Sequence, residues 1–130
     1  MTSSLVLAAC IVLGATCQPV AVRVIDGDTV DVAGERIRLT AIDAPETHEP
    51  RCPAEAAAGA EATAALVRIL DGARIGITRH GRDRYGRTLA GLTTEAGDVG
   101  TALMGQGLAV EWHPGPAAWD ERRQHWCGMA

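Results

Sequence analysis

Between Val20 and Ile42 three short stretches alternate apolar with polar residues, and turn signals separate them. VAVRVID (20–26) and TVDVA (29–33) are β-branched and alternating, and Asp26-Gly27-Asp28 between them reads as a turn. GERIRLTAI (34–42) puts Ile37, Leu39 and Ala41 on one face and Arg36, Arg38 and Thr40 on the other. Ala33-Gly34 is the expected hairpin turn. A three-stranded meander follows, and its apolar face demands a core.

The rest of the chain supplies that core. A loop with three prolines, DAPETHEPRCP (43–53), ends in Pro53, which suits the first turn of a helix. The Ala-rich run after it carries Ala60, Ala64, Val67 and Leu70 along one stripe, and Asp71-Gly72 closes it. Strands are expected at ARIGITR (73–79) and RTLAGLTT (87–94), on either side of an arginine-rich loop. Asp98 caps a short helix over 99–106 that stops at Gly107. LAVEW (108–112) is extended, and PAAWDERRQHW (116–126) forms a final amphipathic helix. Periodicity alone leaves the topology open. Five short strands, a helix inserted after the third and helices at the end fit a mainly β, α+β arrangement: a five-stranded OB-type barrel with three helices.

Composition sets limits. A chain of 130 residues suits one domain with a single core. With no Phe, one Tyr and three Trp, that core must come from Val, Ile, Leu and Ala. The net charge of −4 argues against a protein that coats nucleic acid nonspecifically, because such binding needs clustered cations and counterion release. An enzyme that grips one phosphodiester locally is not excluded. Four of the twelve basic residues, all of them Arg, fall within RHGRDRYGR (79–87).

Residues 1–22 carry no charged side chain, and Leu5–Ala15 is similar to the hydrophobic region of a signal peptide, without its positive n-region. The run is short for a transmembrane helix. The expectation is a signal peptide or lipoprotein leader over 1–18 and one domain over 19–130. LAAC and GATC, ending at Cys10 and Cys17, look like lipoprotein boxes, and Cys17 is the better candidate for lipidation and membrane attachment. The plainer alternative is small apolar residues in a cleaved leader. Export would leave Cys52 and Cys127 as an even pair fit for a disulfide, contributing ~4 kcal/mol in the chain-entropy model. In a cytosolic protein the same two would be buried free thiols.

Asp26, Asp28, Asp43 and Glu46 are the informative carboxylates. With the turn at Ala33-Gly34, Asp28 opens the second strand and Asp43 follows the third, so both fall at one end of a hairpin. Carboxylates so placed repel unless protonated or neutralised by a cation. A hard, oxygen-seeking ion such as Ca²⁺ fits, and no His/Cys spacing suits zinc. Ordinary turn chemistry accounts for Asp-Gly-Asp taken by itself. Arg38 lies on the polar face near the acidic end, where a guanidinium fork can bind phosphate oxygens, and Arg87 could supply a second fork. Surface ion pairs are the alternative for both.

Taken together, VIDGDTV (24–30), RLTAIDAPE (38–46), DRYGR (83–87) and ALMGQGLA (102–109) resemble the staphylococcal nuclease family, in order, from about Val20 to Trp112. The resemblance implies an OB-fold barrel and a Ca²⁺-dependent phosphodiesterase that cuts single- and double-stranded DNA and RNA with little sequence specificity, leaving 3′-phosphate ends. It assigns Ca²⁺ to Asp28, Asp43 and the main-chain carbonyl of Ala44, a position where the family usually has Thr. Asp26 would stand behind the metal ligands, and Glu46 would orient or deprotonate the attacking water. Arg38 and Arg87 would grip the scissile phosphate, with Arg84 and Tyr85 contacting substrate. Trp112 falls near an aromatic that can stack a base, although a core tryptophan is the alternative. The acidic net charge departs from a largely basic family, and Cys127 is an addition to the pattern. Two other classes remain in play: a catalytically inactive OB-fold module that binds nucleic acid or protein, and a lipid-anchored structural barrel. The nuclease reading alone uses Asp28, Asp43, Glu46, Arg38 and Arg87 together, in an exported monomer.

Overall fold

The alternating run folds as a meander, and it starts earlier than its pattern announces. In the computed structural model, which describes residues 6–128, β1 (Val6–Leu13) and β2 (Thr16–Asp26) form an antiparallel hairpin. β3 (Thr29–Val32) and β4 (Glu35–Leu39) continue it. The β3–β4 turn has positive φ at both Ala33 and Gly34, the twist that a two-residue hairpin turn requires. After β5 (Ile42–Asp43) comes α1 (Pro53–Leu70), then the hairpin of β6 (Arg74–Arg82) and β7 (Thr88–Thr94). β8 (Gly97–Asp98), α2 (Val99–Gly105), β9 (Val110–Glu111) and α3 (Ala117–Cys127) complete the chain.

The main sheet runs β4-β3-β2-β1-β6-β7-β8, and a further β4–β7 pairing closes it into a barrel. That closure is parallel, with Arg38 opposite Leu89 and Ile37 opposite Thr88. The α+β class, the closed barrel and the three helices agree with the expectation, with six staves in the ring instead of five. The extra stave is β1, which pairs with β2 on one side and runs parallel to β6 on the other.

Residues 6–18 therefore form barrel wall where a leader is expected; the start of that leader, residues 1–5, lies outside the described residues. The ambiguity is physical, since a short uncharged apolar run fits a signal sequence and a strand equally well. Cys10 is bonded to Cys17 across the β1–β2 hairpin. While that bridge stands, the Cys17 sulfur is not free to carry a lipid.

Val22, Val30, Val32, Ile37, Leu39, Ile75 and Leu92 fill the barrel, and Leu66 and Leu70 of α1 and Leu103 of α2 pack against it. Burying a side chain such as Leu66 is worth ~1.5–3 kcal/mol. Helix α1 is rotated from the expected stripe: Gly59, Ala62, Ala65, Leu66 and Leu70 are inward, while Ala60 and Ala64 are exposed. In so Ala-rich a helix the apolar pattern hardly distinguishes one face from another, and close approach decides. A Cβ on Gly27 would stand 2.7 Å from Ala62 Cβ and 2.8 Å from Ala44 Cβ, so the Asp-Gly-Asp turn, the segment after β5 and α1 meet at small residues. The alternation of β4 also breaks at its end. Ala41 takes φ 69° and is exposed, which turns Ile42 inward.

Candidate functional site

Asp26 Oδ1 accepts the amide of Asp28 at 3.1 Å, the turn chemistry its spacing suggests. Asp28 then reaches across the fold. Its Oδ1 accepts Thr29 Oγ1 at 3.1 Å and its Oδ2 accepts the amide of Ala44, also at 3.1 Å. That bond ties the start of β3 to the segment after β5 and brings Asp28 to the side of Asp43, as the hairpin arithmetic requires. Arg38 Nη2 lies 3.5 Å from Asp28 Oδ2 and 3.3 Å from Asp43 Oδ1, bridging the pair. Arg38 Nη1 donates to the carbonyls of Leu39 and Ile42, the second at 3.0 Å, which braces the corner that Ala41 turns.

The arginine loop is built around Asp83. Its Oδ1 accepts the amides of Tyr85 and Arg87 at 2.9 Å each, and its Oδ2 accepts Arg87 Nε at 2.7 Å. Asp83 thus cross-braces the loop without burying its cations. Tyr85 is exposed, with the guanidiniums of Arg84 and Arg87 5.0 and 5.6 Å from its ring centroid. Both terminal nitrogens of Arg87 make no hydrogen bond among the described residues.

One cleft of about 800 Å³ gathers these groups: Asp26, Asp28, Arg38, Asp43 and Glu46 from the hairpin and its loop, then Arg84, Tyr85 and Arg87 from the arginine loop. Trp112 lines it too, half-exposed and not in the core, with its amide on the carbonyl of Ala41 at 2.9 Å. Ala44 is buried beside it. His48 and His80 are exposed elsewhere.

The carboxylates strain against one another. Burial, and then the charge of Asp28, push Asp26 up to about 7. Asp43 is raised by burial in spite of the pull of Arg122 and Arg38, and Glu46 by burial and then by Asp28 and Asp43. Among the described residues no cluster of three or more His, Cys, Asp or Glu forms a metal site. The shell expected here needs only two carboxylates and a peptide oxygen. All are hard oxygen donors; the two carboxylates line the cleft and Ala44 is tied to Asp28 through its amide, and that donor set fits the chemistry of Ca²⁺.

Two participants gave no clear sequence signal. Arg122 of α3 lines the cleft and places Nη1 3.1 Å from Asp43 Oδ2. Glu55, in the first turn of α1, is fully buried and binds the loop that carries Glu46. A glutamate three residues after the N-cap Cys52 hints at a helix start, not at a loop anchor. Helix α3 reaches the cleft because Cys52 and Cys127 are bonded, and because Arg51 Nη1 donates to the Trp119 carbonyl at 3.1 Å.

Residues 36–125 match the family described as staphylococcal nuclease homologue, a span that holds Arg38, Asp43, Glu46 and Arg87. The chain is 42% identical over 96 residues to the succinoglycan biosynthesis protein ExoI of Rhizobium meliloti (strain 1021), covering 68% of this chain and 49% of that protein. It is 38% identical over 73 residues to a thermonuclease of Staphylococcus intermedius, 52% of this chain and 44% of that one. Protein ParB of Escherichia coli is 35% identical over 101 residues, 68% of this chain and 53% of its own length. The chain spans about half the length of these relatives. With the barrel, the cleft and the matched span in agreement, the chain belongs to the staphylococcal nuclease homologue family.

Proposed function

We propose that this chain is a phosphodiesterase that hydrolyses DNA and RNA with little sequence specificity, using Ca²⁺ and leaving 3′-phosphate ends. The observation that carries the reading is the convergence of Asp28, Asp43, Glu46, Arg38 and Arg87 on one cleft. Asp28, Asp43 and the Ala44 carbonyl would hold the ion. Bound there, Ca²⁺ would supply positive charge beside a non-bridging phosphate oxygen.

The chain's own residues account for the rest. A phosphodiester is anionic and gains charge on its equatorial oxygens as water attacks, and Arg87 offers two unpaired nitrogens to that charge. Arg38 can join it. Its contacts with Asp28 and Asp43, at 3.5 and 3.3 Å, are longer than the ~2.8 Å of a strong charge-assisted bond and can be exchanged for phosphate. Glu46, its carboxyl raised above the ordinary range by burial and by Asp28 and Asp43, takes the proton of the attacking water. Cleavage of the P–O5′ bond then leaves phosphate on the 3′ oxygen, and the 5′ oxygen is protonated from solvent. Arg84, Tyr85 and Trp112 provide stacking and contact surfaces for flanking nucleotides. Two disulfides suit an oxidising compartment, which supports export.

The test is incubation of the full chain with single-stranded DNA, plasmid and RNA, with Ca²⁺ or with chelator. Cleavage in Ca²⁺ alone, with 3′-phosphate found by end-group analysis, is the expected result. Binding without cleavage would identify a silent nucleic-acid module instead.

A further inference from the structure

Helix α1 begins with a carboxylate that solvent does not reach. Glu55 is fully buried, and a charge there is tolerated only where donors replace water. All of its partners beyond its own helix come from one loop. Oε1 accepts the Arg51 amide at 2.7 Å and Arg51 Nε at 2.9 Å; Oε2 accepts the Glu46 amide at 3.0 Å and Arg51 Nη2. Burial raises Glu55, but these bonds outweigh it and hold the group at about 2.

Two of the donors are main-chain N–H groups, so Glu55 grips the loop at both Glu46 and Arg51. One turn further along α1 the helix presses on the same peptides. A Cβ at Gly59 would lie 2.9 Å from the Glu46 carbonyl oxygen and 3.1 Å from that of Pro45. The peptides flanking Glu46 are thus held through an N–H by Glu55 and confined at their carbonyls by the bare surface of Gly59. Glu46's own carboxylate accepts no hydrogen bond among the described residues, so its direction depends on this main chain.

We infer that Glu55 is a positioning residue for Glu46, fixing the loop backbone that aims the water-activating carboxylate into the cleft. The inference rests on the phosphodiesterase reading above. An acidic residue in a first helical turn ordinarily meets the helix dipole at the surface. Here it is spent on a loop instead, next to the group that must be aimed.

Glu55→Gln in the full chain is the test, with single-stranded DNA as substrate. Gln has the same shape but presents an NH₂ where an acceptor is needed. A cooperative melt and an unchanged barrel spectrum should accompany a kcat lower by ~10- to 100-fold, the cost of an ångström-scale misplacement. KM should stay within about twofold, and hydrogen exchange at the Glu46 and Arg51 amides should quicken. Gly59→Ala, which leaves the buried charge intact, should also lower kcat by pushing the loop. Wild-type kcat in folded Glu55→Gln, or unchanged exchange at Glu46, overturns the inference. If Glu55→Gln does not fold, wild-type kcat in Gly59→Ala overturns it. A wild-type chain that cuts nothing would remove the phosphodiesterase reading, while the exchange measurement would still report on the clamp.

Discussion

Arg122 Nη1 lies 3.1 Å from Asp43 Oδ2, so a residue of the last helix reaches a carboxylate at the end of β5. Arg38 holds the other oxygen of the same carboxylate at 3.3 Å. Two guanidiniums thus hold the carboxylate proposed above as a Ca²⁺ ligand, and an ion bound there would compete with them.

Removing one competitor should favour the ion. Arg122→Ala is expected to tighten Ca²⁺ binding about fivefold, the equivalent of losing an ion pair worth ~1 kcal/mol. Isothermal titration calorimetry decides the sign; weaker binding would mean that Arg122 orients Asp43 for the metal instead of competing with it.

The reacting groups should be separable from the fold. Glu46→Gln and Arg87→Ala are each expected to lower kcat by ~100-fold or more, consistent with the loss of a general base or of a phosphate donor. Among the described residues the Glu46 carboxylate accepts no hydrogen bond and Arg87 has Asp83 as its one ion-pair partner, so melting temperatures should hardly move. Near-normal rates in both would reject their assignments.

Stability in chelator should depend on pH with two opposed limbs. Glu35, bonded by Arg79 at 2.6 and 3.0 Å and by Thr88 at 2.8 Å, is held at about 2 against an ordinary 4.5. Folding is favoured when it is ionised, so its contribution is present above 4.5 and lost as pH falls toward 2. Asp26 is opposite in sign. Raised from 3.8 to about 7, it favours the folded chain below 3.8 and ceases to as pH climbs through 7. Thermal melts across this range should show Glu35→Gln flattening the acid limb and Asp26→Asn the neutral one.

The two disulfides should differ in weight. Cys52–Cys127 spans 75 positions and Cys10–Cys17 spans 7. By loop-closure entropy their removal costs ~4 and ~2.5 kcal/mol. Ser replacements made pairwise, compared by thermal denaturation, should rank in that order. The longer bridge also carries α3, so its loss should free the Asp43–Arg122 contact as well.

What the sequence disclosed follows from what is local. Period-two alternation located β2, β3, β4, β6 and β7, and hairpin arithmetic placed Asp28 beside Asp43 because both sit on one short stretch. Arg84, Tyr85 and Arg87 were legible because Asp83-to-Arg87 is a self-contained loop. Features decided by docking were not legible. Arg122 counts only once α3 is tied to Cys52, and the inward face of α1 is set by Gly27 and Gly59, not by its own pattern. β1 escaped notice because an uncharged strand and an export signal share one vocabulary.

The parallel ladder between β4 and β7 joins the acidic half of the cleft to the basic half, with Arg38 directly opposite Leu89, two residues beyond Arg87. The spacing between the backbones that carry those arginines is therefore set by peptide groups, which side-chain repacking does not stretch. A polymer lying across it is measured by its own repeating chain. The pendant groups are left outside the measurement, which is the indifference to their order that the proposed activity requires.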